Sequence, residues 1–417
     1  IHIADVSFYV KENDIIDIEA AERSTSVYLV DRVVPMLPEI LSNDICSLKA
    51  NVDRLCYSVI LEINKKAEII SHNIKKTIIH SDKRFTYQDA QDIIDDKKGL
   101  FSEELLILDK LSKILREKRF SSGSINFDRQ EVKFILDKDK NPIDVFFKES
   151  INTNHLIEEF MLMANKIVAK EIGFSEKGEL EKTFIYRVHD KPDEDKINSL
   201  SNIIKKFGYS ISNSSIKNLS NSLNSLLKSV KGKAESNMIE TLTIRSMSKA
   251  IYTTDNIGHY GLNFKYYSHF TSPIRRYPDL IVHRLLENYL NGGKSVKKGK
   301  IEDICKYTSN KEKDASMAER DSIKYMQAKF LKDKIGEVFS GVISGVTEWG
   351  IYVELEKNKC EGLVRISSIK GDFYVFDKNT YSVIGKSSKK KYQLGDTVNI
   401  KIKNTDLHKK QIDFILV

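Results

Sequence analysis

Cysteine and proline are scarce in this chain, with four and six among 417 residues. Cys46, Cys56, Cys305 and Cys360 are scattered. They show neither the paired spacing of a zinc site nor the density of a disulfide framework. A reducing compartment, the cytoplasm, is therefore the expectation. No apolar run is long enough to cross a bilayer, so no membrane partner is expected. No secretory signal is visible at the start, and Ile1 to Val10 reads as a strand already under way. The expectation is a piece of a longer protein, with further sequence upstream of Ile1. Charge of one sign is not in great excess either: 67 basic against 59 acidic residues give a net +8. That surplus is spread along the chain and argues only weakly for a polyanionic partner.

The length is ample for two or more domains. After the first strand, a charged helix is expected near Ile15 to Arg23, then an extended loop from Val27 to Leu37. Leu55 to Ile63 and Ala67 to Ile79 read as paired strands around Asn64-Lys65-Lys66. Tyr87 to Lys97 and Glu103 to Lys118 look helical, and Val132 to Leu136 with Ile143 to Phe147 form a second pair of strands. A long helix is expected from Thr153 to Ile172. Ser210 to Lys233 is rich in Ser, Asn and Lys, yet Ile216, Leu219, Leu223, Leu226 and Leu227 keep helical spacing, which predicts an amphipathic helix. Further helices are expected near Met238 to Ile251, Pro278 to Leu290 and Ile301 to Lys334. At Ile335 the texture changes to short alternating strands with glycine turns, five of them to Val417. This predicts a small closed barrel of the OB type. The fold class is α+β: a domain of mixed strands and many helices over residues 1–334, then a five-stranded OB-fold barrel over residues 335–417.

One stretch is richer in chemistry than any other, Tyr267-Ser268-His269-Phe270-Thr271-Ser272-Pro273-Ile274-Arg275-Arg276-Tyr277-Pro278-Asp279-Leu280. Two adjacent guanidinium groups precede a helix and are fenced by prolines. Such groups bind phosphate bidentately and keep their charge at any working pH, and the helix start adds its positive end. A buried arginine bracing the helix is the plainer reading.

This run resembles the signature of the ribonuclease II and ribonuclease R family of 3′→5′ exoribonucleases. His2-Ile3-Ala4-Asp5-Val6-Ser7, Ser26-Val27-Tyr28, Val34 to Asn43, Cys46-Ser47-Leu48, Arg187 to Pro192 and Met317 to Asp321 agree with it in the same order. Residues from about 335 to 417 resemble an S1 RNA-binding domain. The resemblance implies a processive hydrolase that takes single-stranded RNA 3′ end first and releases nucleoside 5′-monophosphates. It also implies that Arg275 grips the scissile phosphate and that Arg276 braces the site or makes an outer phosphate contact. By the same resemblance Glu319 and Glu158 line the active site, and Tyr28 and Phe127 sandwich the terminal bases. In the barrel, Phe339 and Tyr352 are expected on the outer RNA-facing sheet, Trp349 at an exposed turn, and Phe373, Tyr374, Lys386 and Lys389-Lys390-Lys391 nearby. His155, His189 and His269 lack metal-ligand spacing and are taken as structural.

The family's chemistry uses two Mg²⁺ ions held by clustered aspartates. The resemblance places that cluster just upstream of the first strand, before Ile1, so no metal ligand is expected among these residues. Asp5 and Asp95-Asp96 do not match the ligand pattern. The expectation is a monomer that binds RNA and, without those aspartates, cleaves it poorly. The rival reading is a non-catalytic RNA-binding protein that uses the same channel and barrel.

Overall fold

In the computed structural model, which describes residues 1–126, 131–173, 182–212, 215–233, 235–377, 380 and 382–417, the first strand is short because Asp5 ends it. β1 (His2–Ala4) pairs antiparallel with its neighbour, and the Asp5 carboxylate then accepts the Phe8 N–H at 3.2 Å and caps a single helical turn, α1 (Val6–Tyr9). The strand expected to reach Val10 is thus cut by a side chain that offers the backbone a competing acceptor. α2 (Ile15–Arg23) follows, capped by Asp14. The expected extended loop contains two short paired strands, β2 (Val27–Tyr28) and β3 (Val33–Val34). β4 (Asp53–Ile63) and β5 (Ile69–His80) form the long hairpin read from the sequence, and the sheet order is β1-β4-β5.

α3 (Tyr87–Asp96) starts with a reciprocal Thr86–Asp89 capping box. α4 (Ser102–Ser122) stops at Gly123, whose φ of 116° a side chain would resist. β6 (Glu131–Leu136) and β7 (Pro142–Lys148) pair, and α5 (Asn152–Gly173) is the expected long helix. β8 (Tyr186–Val188) precedes α6 (Glu194–Lys205), α7 (Ile216–Val230) and α8 (Ser236–Ser246). The helix expected to run to Ile251 ends five residues earlier, and Ile251 instead opens β9 (Ile251–Thr253), which pairs with β8. α9 (Tyr277–Leu290) and α10 (Lys298–Lys332) complete this part.

β10 (Val338–Thr347), β11 (Gly350–Leu355) and β12 (Glu361–Arg365) begin the barrel. Three strands outside the expected layout follow, β13 (Tyr374–Asp377), β14 (Ser382–Gly385) and β15 (Lys391–Gln393), which form their own sheet. β16 (Thr397–Asp406) and β17 (Gln411–Leu416) close the barrel in the order β10-β11-β12-β17-β16. Gly362 is required there, since a Cβ would sit 2.5 Å from the Phe414 ring.

Two apolar cores hold the chain together. One joins β1 and β4 to α5 and α9 through Val59, Ala164, Val168, Phe270, Leu280 and Leu286. The other runs from Ile197, Ile204, Leu223 and Ile239 through Leu331 into the barrel at Ile343 and Ile351. Burying side chains of this size contributes roughly 1.5–3 kcal/mol each. Among the described residues, no helix is long and apolar enough to cross a membrane.

Candidate functional site

The Arg275-Arg276 turn is fixed by its backbone. The Ser272 carbonyl accepts the N–H groups of Arg275 (3.2 Å) and Arg276 (3.0 Å), and Pro278 sits in the first turn of α9. The segment also pairs with the residues before β2. Ser26 donates its N–H to the Arg275 carbonyl at 3.0 Å, and Tyr277 donates to the Ser24 carbonyl at 2.8 Å.

The two arginines take opposite roles. The Arg275 side chain is exposed and has no hydrogen bond or ion pair among the described residues. Arg276 points inward and donates from Nη2 to Asp279 Oδ1 at 2.7 Å, and the same oxygen accepts the Ser272 N–H at 2.8 Å. Asp279 is fully buried. Burial works against the Arg276 charge, but the Asp279 carboxylate outweighs it and holds the guanidinium above its ordinary pKa.

Arg276 borders a cavity of ≈ 290 Å³ that Tyr87, Glu158, Asn165, Tyr267 and Thr271 also line. Thr271 Oγ1 and Arg276 Nε are buried and have no hydrogen-bond partner among the described residues. Unmet polar groups in a concave site are places for a ligand to bind. Glu158 is half-exposed at the wall and pairs with Arg119 at 3.1 Å and Arg116 at 3.4 Å, with His155 Nδ1 at 3.5 Å. Behind it, Arg119 makes a buried pair with Glu159, Nε to Oε1 at 3.0 Å.

Tyr28 and Glu319 meet at the same junction. The Glu319 carboxylate on α10 accepts the Tyr28 N–H at 2.9 Å, and Ser322 Oγ accepts the Val30 N–H at 3.1 Å. The Tyr28 ring stays 48% exposed, which leaves a face for stacking. Phe127 lies outside the described residues. The residues before it are pinned, with Ile125 donating to the Gly261 carbonyl (2.9 Å) and Asn126 to Asn224 Oδ1 (3.0 Å). Sequence reasoning missed Tyr87, Asn165 and Thr271 as cavity residues. Thr271 lies in the very run that carried the resemblance, but Tyr87 and Asn165 gave no local signal.

A layer of histidines, His189 buried and His259 and His269 partly buried, supports the turn. His269 Nδ1 bonds the Tyr252 hydroxyl at 2.8 Å, and Arg187 stacks on Tyr252 while pairing with Glu312 of α10 at 2.6 Å. His189 accepts the Gly261 N–H at Nδ1 (2.9 Å) and faces the Ser248 carbonyl from Nε2 (2.8 Å), a fully satisfied neutral ring. Burial lowers the pKa of His189 and His259, the latter to about 3 with help from the Arg187 charge.

Among the described residues, no group of three or more His, Cys, Asp or Glu could hold a metal ion. Asp5 is committed to Ser7, Phe8 and an ion pair with Lys76 at 3.2 Å. Asp95, on α3, accepts from Gln91. These residues do not fit a pair of Mg²⁺ ions.

In the barrel, Trp349 is 68% exposed at the β10–β11 turn. Tyr352 is half-buried and alternates with the inward Ile351 and Val353, so it faces outward. The expectation for Phe339 is corrected. Phe339 lies directly opposite Ile400, which is fully buried, and directly opposed residues share a face of the sheet. Its ring therefore joins the inner side and packs on the core. Tyr374, which opens β13 of the separate β13–β14–β15 sheet, is also buried, whereas Phe373 just before it is exposed.

The RNB domain family matches residues 1–292, and the S1 RNA binding domain family matches residues 332–416. Ribonuclease R of Aquifex aeolicus (strain VF5) is 36% identical over 426 residues, covering 100% of this chain and 60% of that protein. Ribonuclease R of Thermotoga maritima is 39% identical over 430 residues, again covering 100% of this chain and 60% of that protein. The solved structure of Mycoplasma genitalium RNase R in complex with ribose methylated single-stranded RNA matches with a TM-score of 0.92 at 29% identity, covering 100% of this chain and 66% of that one. The chain spans 51% to 60% of the length of the first curated relatives it matches. It belongs to the RNB family, with an S1 RNA binding domain after its RNB domain.

Proposed function

We propose that the chain acts in the 3′→5′ hydrolysis of single-stranded RNA to nucleoside 5′-monophosphates. The observation that carries this reading is the junction of residues 24–28 with 275–277, where an unpaired Arg275 guanidinium and the exposed Tyr28 ring emerge together. The 3′-terminal nucleotides occupy the cavity, where the Arg276 Nε–H donates a hydrogen bond and the Thr271 hydroxyl gains a partner. Tyr28 stacks on a terminal base. Arg275 holds a non-bridging phosphate oxygen, and its charge counts most as negative charge builds in the transition state. Trp349 and Tyr352 steer the incoming strand by stacking without reading sequence.

Bound divalent metal ions, Mg²⁺ in our reading, would supply the means to activate the attacking water. The described residues offer them no ligand set.

The test is a titration of single-stranded RNA and duplex DNA at matched salt, together with digestion of 5′-labelled RNA by the complete protein in Mg²⁺. Preferred binding of single-stranded RNA and progressive shortening from the 3′ end are expected. Equal affinity for both nucleic acids would overturn the reading. RNA binding with no cleavage by the complete protein would favour the non-catalytic alternative.

A further inference from the structure

The β13–β14–β15 sheet is not needed to close the barrel, yet its rim is built with care. Phe373, just before β13, is 67% exposed. An aromatic ring of this size is more often buried or given a partner surface. It is not loosely held. Lys386 donates its N–H to the Phe373 carbonyl at 2.9 Å. The Asp372 carboxylate gathers the N–H groups of Phe373 (2.7 Å), Ser387 (2.9 Å) and Ser388 (2.6 Å), plus the Ser388 hydroxyl (2.7 Å). Those donors, Ser388 foremost, pull the Asp372 pKa down to about 2. The ring is therefore presented on a braced turn.

One cation stands on it. The Lys386 ammonium lies 4.6 Å from the Phe373 ring centroid, Lys389 and Lys391 follow on the next turn and strand, and Lys390 turns to the Tyr392 ring at 5.1 Å. The nearby carboxylates are engaged: Asp372 in the turn and Asp377 with the Thr380 hydroxyl. The sheet is also fixed against the rest of the molecule. Lys206, after α6, donates to the Thr380 carbonyl at 2.9 Å, and Phe207 packs against Gly395 so closely that a Cβ there would lie 2.8 Å from its ring. A rigid exposed ring amid ammonium groups is complementary to an unpaired base and its phosphates.

We infer that Phe373 and Lys386 form a second base-stacking site for single-stranded RNA, separate from the Trp349–Tyr352 face of the barrel. The ring takes one base, and Lys386, with Lys389 and Lys391, takes the adjoining phosphates. This rests on the reading that the chain holds single-stranded RNA. It adds a contact that only a strand extending beyond the cavity can reach.

The experiment uses the complete protein, chelator in place of metal, and fluorescent oligouridylates of about 4 and about 20 nucleotides. Phe373→Ala and Lys386→Ala should each weaken binding of the long probe, by about ten-fold for Phe373→Ala, and leave the short probe unchanged. Phe373→Trp should restore long-probe affinity. Melting temperatures should match wild type, because the ring is exposed. Wild-type affinity of Phe373→Ala for the long probe, or an equal loss for both probes, would overturn the inference and leave the RNA reading intact. Failure of the wild-type protein to bind either probe would instead overturn that reading.

Discussion

The backbone N–H of Tyr28 donates to the carboxylate of Glu319 at 2.9 Å, across 291 residues of sequence. This contact gives Glu319 a definite job, holding the β2 segment against α10. Glu319→Gln keeps an acceptor oxygen and should leave that segment in place. Glu319→Ala should loosen it by about 1 kcal/mol, the worth of a partly exposed hydrogen bond to a charged group. Hydrogen exchange at the Tyr28 amide measures this directly. If the Gln variant loses RNA turnover as fully as the Ala variant, the negative charge itself serves the reaction and the clip is incidental.

Arg275 and Arg276 should fail in different ways. Arg275→Ala in the complete protein should lower single-turnover cleavage by on the order of 10²-fold, far more than it lowers RNA affinity. Its melting temperature should stay near wild type, since the side chain is exposed and makes no hydrogen bond or ion pair among the described residues. Arg276→Ala leaves the buried Asp279 unpaired and should cost roughly 3–5 kcal/mol of stability. Denaturant unfolding of both variants beside their cleavage rates separates the two. Equal stability would show that the Arg276–Asp279 pair is not an anchor.

The barrel gives a similar contrast. Tyr352→Ala and Trp349→Ala should each weaken RNA binding by roughly 1–3 kcal/mol with little change in melting. Phe339→Ala should act the other way, destabilising the barrel by about 2 kcal/mol through lost packing on the inner side. An affinity loss for Phe339→Ala with unchanged melting would return that ring to the RNA face.

Acid should destabilise the fold before most carboxylates titrate. Burial keeps His189, His259, His269 and His283 neutral, each with a folded pKa below its ordinary value. In the unfolded chain they take up protons as pH falls through about 6.5, while the folded state resists. The unfolded state thus binds more protons in this window. The stabilising contribution is complete above about pH 6.5 and is lost as pH falls towards the folded values, by up to about 1.4 kcal/mol per pH unit for each ring. Unfolding free energies at about pH 7.5 and pH 5.5 test this, and equal values would show that the rings accept protons in place.

Most elements were legible because their periodicity is local. The β4–β5 hairpin, α2, α5, the Leu219–Leu223–Leu226 stripe of α7 and the five barrel strands all announce themselves within a dozen residues. α6 was missed although Asp193 caps it and Ile197, Leu200 and Ile204 mark its buried face. The β13–β14–β15 sheet was hidden by strands of three or four residues interrupted by lysines. Phe339 was misplaced because facing in a strand hangs on a single-residue shift. At the site, Arg275 stood out by its setting, but which of the two arginines is exposed depends on Asp279 and on pairing with Ser24 and Ser26, some 250 residues away. No local pattern encodes a contact of that separation.

α10 has 35 residues, which makes it a rod of about 50 Å. It grips β9 through Glu302, Arg187 through Glu312, Tyr28 through Glu319 and Lys410 of the barrel through Asp321. The Tyr28 segment and the β16–β17 turn of the barrel are therefore pinned within one turn of the same helix, at Glu319 and Asp321, and their spacing does not depend on what lies between them. Such a beam works as a ruler. RNA shielded from a second nuclease should show a footprint of one sharp length, and the strand should begin to slip from the protein once digestion has shortened it past that mark.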